Sequence, residues 1–422
     1  MKSQDSALWK EAINDEMDSI MGNQTWILVN LPPGSKPIGC KWIFKKKMKV
    51  DGTIDKFKAR LVAKGFTQKQ CIDYFDTYAP VARIATIRLL ISLTSIYNLV
   101  VHQMDVKTAF LNRELEEEVY MEQLEGSVVP GQEHKNLGVA DVILGIKITR
   151  DESTIALSQS NYIENMFKKF YLFNCIPAST PMDPQIKLVS NIGRKIDQLK
   201  YASLVGCLMY IMTCTIPNIA SVVGKLSRYT SNPSSLHWQA LNKVLRYLKK
   251  TINYGLCYNG YPPVLEGYSD ASWITSLEDH ASTSGWIFIL GRGVISWGSK
   301  KQTCITDSTM TAEFITLAAA FKEEEWLRNL LYDVPLWPKP ISPIFIRCDS
   351  EATLVKAYSQ VYNGKSRHIG LRYSYVLQLI FGGVITINYV RSSENLADPL
   401  TKSLARDAVK RTSKGMRLKL IN

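Results

Sequence analysis

Residues 264–402 pass between strand and helix periodicity in an order that few folds can satisfy, and four of the segments carry a carboxylate near one end. Val264 to Trp273 alternates apolar and polar residues and reaches Asp270 among small side chains, the pattern of a strand that delivers one acid to a sheet edge. Two further strands, 284–291 and 293–301, flank a Gly-Arg-Gly turn. A long helix is expected from Ser308 or Thr309 to about Leu331, with Ala312, Ile315, Leu317, Ala320 and Trp326 among its apolar positions and Glu313 in its first turns. Residues 343–349 form a continuous apolar run ending at Asp349, as in a parallel strand covered on both faces. One helix and then a last strand, 384–390, are expected to follow, and Glu394 to Asp398 is expected to open the final helix.

Taken singly, these acids have ordinary explanations. An Asp after a strand is a turn former, and a Glu early in a helix is favoured by the helix dipole. Four acids on four matching elements, two strands and two helices, reverse that judgement, because clustered carboxylates can hold metal ions that activate water. Only hard oxygen ligands are offered, so Mg²⁺ is expected, two ions in all, with Mn²⁺ as an alternative occupant.

Composition narrows the substrate. A chain of 422 residues exceeds one ordinary core and favours two or three domains; the 46% hydrophobic and 21% charged fractions are globular. Net charge +13 calls for a polyanionic partner, nucleic acid or an anionic membrane. The most apolar stretch, Ile84 to Val101, is broken by Arg88 and several polar residues, so no membrane span is expected. The first residues lack the apolar core of a signal peptide, and an intracellular location is expected. The eight cysteines show no C-x-x-C spacing, which argues against a disulfide framework and a structural zinc site.

Upstream, residues 4–22 read as an amphipathic helix and 26–29 as a strand. Residues 41–64 read as a hairpin turning at Asp51-Gly52. Lys41, Lys45, Lys47, Lys58, Arg60 and Lys64 interleave there with Trp42, Phe44 and Phe57, which suits a nucleic-acid contact; a plain solvated strand face would look the same. Residues 80–100 read as a helix leading to a strand that runs out at Asp105. Further helices are expected at 160–170, 201–212, 219–229 and 237–250, the last with a basic face.

Several of these motifs are shared with a known family. The runs CKWIFKKK (40–47), KARLVAKGF (58–66), Asp73-Tyr74 with YAPV (78–81), and QMDVKTAFLN (103–112) resemble the reverse transcriptase of Ty1/copia-type retrotransposon Pol polyproteins. The resemblance implies a fingers and palm architecture that copies RNA into DNA with two magnesium ions, and makes Asp105 the first palm carboxylate. After EEVYME (117–122), however, the family continues to a hairpin bearing paired aspartates. Here residues 129–135 run straight into a segment resembling sequence well beyond that hairpin, and no Asp-Asp pair exists in the chain. A lone Asp105 cannot hold two ions, so polymerase activity is expected to be absent, and the junction near 134–136 reads as an internal deletion or a spliced gene model.

ISWGSKKQ (295–302), TAEF (311–314), CDS (348–350), RHI (367–369) and LADPLTK (396–402) resemble the RNase H domain of the same elements. The resemblance places Asp270, Glu313, Asp349 and Asp398 on the metal ligands. His368 reads either as a group that helps product leave, by tugging a metal or relaying a proton, or as a structural histidine. Gly370 and Ser374 stand where the family usually has an Asp and a second His.

The expected architecture is therefore multidomain, α/β and α+β: a partial fingers/palm followed by an RNase H-like mixed five-stranded sheet with helices. The expected divisions are 1–135 (fingers and start of palm), 136–260 (end of palm, thumb and connection), 261–410 (RNase H-like) and 411–422 (tail). The expected function is Mg²⁺-dependent hydrolysis of RNA in RNA–DNA hybrids beside a disabled polymerase. The alternative is a non-catalytic nucleic-acid-binding relic. No protease or integrase segment is read in the chain, so any role in transposition would depend on other proteins.

Overall fold

Side-chain alternation along two strands sorts the basic hairpin more strictly than its composition suggests. The structure, a computed structural model, describes residues 5–22, 33, 38–48, 54–64, 82–104, 136–139, 142–143, 145–151, 154–172, 174–194, 196–260, 262–275, 278–359, 361 and 367–421. They fall into two units, one of 1–81 with 102–139 and the other of 82–101 with 140–422. In the first, helix α1 (Ser6–Gly22) accompanies antiparallel strands β1 (Cys40–Met48) and β2 (Ile54–Ala63); the short strands β3 (His102–Met104) and β4 (Asn136–Val139) pair separately. The register sets Lys45 opposite Lys58 and Ile43 opposite Arg60, so Lys41, Lys45, Lys47, Lys58 and Arg60 share one face.

Trp42, Phe44 and Phe57 fall on the other face, where Trp9 of α1 meets Phe44 and Phe57 edge-on at 5.2 and 4.6 Å. The interleaving seen in sequence thus resolves into a cationic face and an aromatic face packed on a helix. Like charges directly opposite destabilise a ladder. Burial, with Lys47 and Arg60 close by, holds the Lys58 ammonium below the usual lysine range. The 26–29 strand, Asp105 and residues 134–135 of the expected junction lie outside the described residues.

The second unit contains two five-stranded sheets. One is antiparallel, built from β5 (Val142–Ile143), β6 (Ile146–Asp151), β7 (Thr154–Ser158), β8 (Tyr254–Tyr258) and, at the far edge, a strand close to the C-terminus. The other comprises β9 (Glu266–Ser272), β10 (Thr283–Leu290), β11 (Gly293–Lys301), β12 (Ile344–Cys348) and β13 (Ile385–Tyr389) in the order β11-β10-β9-β12-β13. β9, β10 and β11 are antiparallel neighbours, while β12 runs parallel to both β9 and β13. This is the mixed five-stranded, RNase H-like sheet expected from the sequence.

Helix α2 (Ile84–Ile96) packs on β11, and its Arg88 is buried without a carboxylate ion-pair partner among the described residues. The guanidinium lies 3.7 Å from the Trp297 ring and donates to the carbonyls of Ile295 (2.6 Å), Thr213 (2.6 Å) and Cys214 (3.0 Å). Helices α3 (Ser160–Lys169), α4 (Gln198–Cys214), α5 (Ala220–Leu226) and α6 (Ser235–Lys250) complete this part of the core. His237 both caps and packs: it closes a capping box with Ser234 and stacks on Tyr229 at 4.0 Å. No helix among the described residues is long and apolar enough to cross a membrane.

Three details differ from the sequence expectation. After helix α7 (Thr309–Asp333), two helices, α8 (Glu351–Tyr358) and α9 (Arg367–Phe381), separate β12 from β13 rather than one. Asp398 does not open the final helix; it begins a single 3₁₀ turn, Asp398–Leu400, and helix α10 starts only at Arg406 (Arg406–Gly415). Residues 411–422, read as a tail, finish α10 and form β14 (Leu418–Leu420), which pairs with β8 and closes the edge of the antiparallel sheet.

Candidate metal centre

Two parallel strands bring the first two acids to the same sheet edge. β9 carries Asp270, only 1% exposed, and β12 ends at Cys348, so that Asp349 follows at the carboxyl end of its neighbour. Across β10, Asp270 faces Gly285, where a Cβ would stand 2.6 Å from Thr401 Cγ2 and 2.9 Å from Leu400 Cβ. The glycine therefore makes room for the segment bearing Asp398 to lie over the sheet. Thr401 Oγ1 donates to Asp270 Oδ2, and Asn395 Nδ2 donates to both Ser269 O (2.9 Å) and Asp349 Oδ1 (3.2 Å).

Glu313 arrives from α7. Ser308 caps that helix through the Thr311 amide, so Glu313 lies beyond the first turn and the capping explanation falls away. Gln302 Nε2 bonds to Ala312 O at 2.9 Å and Ser284 Oγ to Thr316 Oγ1 at 2.6 Å, which fix the start of α7 against β10. Glu313 Oε1 accepts from the Ala271 amide at 3.0 Å, whereas Oε2 is buried with no hydrogen-bond partner among the described residues.

The four acids meet through Asp349. Carboxylate oxygens of Asp270, Asp349 and Asp398 lie within 4.8 Å of one another, and so do ligand atoms of Glu313, Cys348 and Asp349. Burial, then the Asp270 charge, pushes Glu313 up to about 9 and Asp398 to about 6. Burial likewise raises Asp270, against the pull of Lys402. Lys402 Nζ lies 3.0 Å from Asp398 Oδ1 and 3.5 Å from Asp270 Oδ1. Among the described residues, four carboxylates thus face one ammonium, and a buried carboxylate oxygen lacks a donor. The residues fit a divalent cation: the donors are hard oxygens, apart from Cys348, whose thiol burial pushes up to about 12.

The structure brings together Asp270, Glu313, Asp349 and Asp398. His368 lies on α9, but its side chain, like Asp105, is outside the described residues. Lys41, Lys45, Lys47, Lys58, Arg60 and Lys64 belong to the other unit. Thr401, Lys402 and Asn395 were not singled out from sequence, although the four-residue step from Asp398 to Lys402 on a turn was a readable signal.

The family described as reverse transcriptase (RNA-dependent DNA polymerase) matches residues 23–137. The chain is 33% identical to the retrovirus-related Pol polyprotein from transposon TNT 1-94 of Nicotiana tabacum, over 94% of this chain and 37% of that protein. It is 30% identical to the corresponding polyprotein from transposon RE2 of Arabidopsis thaliana, over 96% of this chain and 34% of the relative. The chain thus spans about a third of the length of these relatives. Their alignments run over 490 and 495 positions, more than the chain's 422 residues, so both relatives carry sequence with no counterpart here. Among solved structures, RNase H1 from the halophilic archaeon Halobacterium salinarum is similar at 16% identity and a TM-score of 0.25, covering 33% of this chain and 93% of that one.

Proposed function

Because this chain belongs to the Pol polyproteins of copia-type retrotransposons, we propose that its second unit is a divalent-metal-dependent ribonuclease that cuts the RNA strand of RNA–DNA hybrids. The observation that carries this reading is the convergence of Asp270, Glu313, Asp349 and Asp398 on one point of an RNase H-like sheet. Asp270, Asp349 and Asp398 would hold one ion, and Glu313 with Asp349 a second. Mg²⁺, or Mn²⁺ in its place, would supply an activated water and stabilise the leaving oxygen.

The protein's own groups do the positioning. Thr401 orients Asp270, Asn395 holds Asp349, and the Ala271 amide fixes one Glu313 oxygen so that the other is left for a ligand. Lys402 balances part of the charge on Asp270 and Asp398. The hybrid would be recognised by backbone and 2′-OH contacts with little sequence preference. In the first unit, Lys41, Lys45, Lys47, Lys58 and Arg60 present one cationic face for a phosphate backbone, with Lys64 following β2.

We propose further that the chain does not polymerise. It contains no paired aspartates, and a single palm carboxylate cannot hold two ions. Cleavage of a labelled hybrid in Mg²⁺ by the wild-type chain, lost in Asp270→Asn and Glu313→Gln with binding retained, tests the nuclease. Equal cleavage by all three proteins discards it, and binding without cleavage by the wild type supports the non-catalytic relic. Templated primer extension would overturn the polymerase statement.

A further inference from the structure

The face of β9 that carries Asp270 continues away from the acids into a second feature. Side chains alternate along a strand, so Glu266, Tyr268 and Asp270 share that face. At the Glu266 end it opens into a cleft of about 490 Å³ whose walls include Arg292, Arg411, Lys414 and Arg417 with Glu266 and Glu394. Glu266 is ion-paired with Arg347, while none of the four cations of the wall has a carboxylate partner among the described residues. Four cations therefore face one acid, Glu394, that has no ion-pair partner among those residues.

Two of the four sit on backbone that disfavours them. Arg292, in the turn between β10 and β11, has φ 61°, and Arg417, just past the end of α10, has φ 57°. Both lie in the left-handed region, which glycine or asparagine occupies at lower cost, and the position after a helix is commonly glycine. Arginine at both places, with both side chains lining one cleft, is the kind of local strain that marks a binding surface.

We propose that this cleft holds the phosphodiester backbone of the nucleic acid. Asp270 lies four residue steps beyond Glu266 along β9, about 13 Å at ~3.3 Å per residue. That span is roughly four nucleotides at ~3.4 Å of rise per nucleotide of one strand. The cleft thus grips the strand a few nucleotides from the acids; this rests on the reading of those acids as a hybrid-cutting centre.

The test uses the full chain carrying Asp270→Asn, so that binding is read without cutting, and a fluorescent hybrid of about a dozen base pairs titrated between about 50 and 200 mM salt. Arg292→Gly and Arg417→Gly should each raise Tm while weakening binding about 3- to 10-fold and reducing the salt slope by about one. A combined Arg411→Glu, Lys414→Glu chain should bind more than about 10-fold weaker. Lys410→Glu, exposed on the same helix but outside the cleft, should change little.

A raised Tm with unchanged affinity and slope would overturn the proposal, leaving two strained turns and no ligand. Equal weakening by Lys410→Glu would also overturn it, in favour of net charge alone. Inorganic phosphate or a mononucleotide that displaces the hybrid at low millimolar concentration would assign the cleft to a free anion instead. Failure of the unmutated chain to cleave would remove the nuclease reading and leave the binding result standing.

Discussion

Lys402 reaches across one turn to Asp398, its ammonium 3.0 Å from the carboxylate, and stands 3.5 Å from Asp270 as well. This lysine is the positive charge that offsets the acid cluster in the metal-free protein. Lys402→Met should therefore lower stability in EDTA by on the order of 1–2 kcal/mol, the lysine side chain being 39% exposed and partly screened. Millimolar Mg²⁺ should recover most of the loss, because a bound cation takes over the compensation. Urea denaturation with and without metal measures both; an identical deficit in the two buffers would show that Lys402 acts by packing alone.

Asn395 supports a second expectation. Its amide bridges the Ser269 carbonyl and the Asp349 carboxylate, while its own Oδ1 accepts from the Ala397 amide at 3.0 Å. It acts by fixing the acid shared between the two ligand sets. Asn395→Ala should cost roughly 10- to 100-fold in metal affinity or activity. The signature is a higher Mg²⁺ requirement with rate partly restored at saturation, and an unchanged metal titration would refute a positioning role.

Glu324 sets a pH dependence of stability away from the site. It is 0% exposed on α7, both carboxylate oxygens lack hydrogen-bond partners among the described residues, and burial raises its pKa from 4.5 to about 8, with Arg328 pulling the other way. A carboxyl raised on folding stays protonated in the native state while the unfolded chain ionises. Its contribution is intact below about pH 4.5 and is lost as pH rises toward about 8, by on the order of 1.4 kcal/mol per pH unit at most. Glu324→Gln should leave stability at pH 4.5 nearly unchanged and raise it at pH 8. A difference between the two proteins that does not vary over this range would contradict the burial argument.

The acids were legible because each sits on or beside an element with a strong period: Asp270 and Asp349 at strand ends, Glu313 on a 25-residue helix. Asn395 and Thr401 were not, because their roles arise from the path of 395–402 over Gly285, and turns leave no periodic trace; Lys402 left only its four-residue step from Asp398. The same segment explains the misplaced final helix, since Asp398 and Thr401 are held by a 3₁₀ turn and the Asp270 bond rather than by an α-helical ladder. Strand alternation could have separated the cations from the aromatics of β1 and β2 in advance. Nothing local indicated that 84–96 would pack on β11, or that the three residues of β14 would close a sheet edge. Such contacts depend on chain positions far apart.

The packing of α2 on β11 determines what can be cut away. A fragment of residues 255–410 retains the four acids but loses α2, α5 and β14, which cover β11 and β8, together with the buried Arg88 clamp. Apolar surface and a paired sheet edge would be exposed at once, so this fragment should be less soluble than the intact chain and bind the hydrophobic dye ANS. In the full chain, Arg88→Leu leaves three carbonyls without their charged donor and should cost roughly 3 kcal/mol or more, while Arg88→Lys recovers only part, lacking the planar fork and the stack on Trp297. Urea denaturation of the two variants, read beside the hybrid-cleavage rate, separates a structural clamp from a catalytic role. A stable Arg88→Leu chain, or a well-folded 255–410 fragment, would show that the sheet carrying the acids stands without its N-terminal helix.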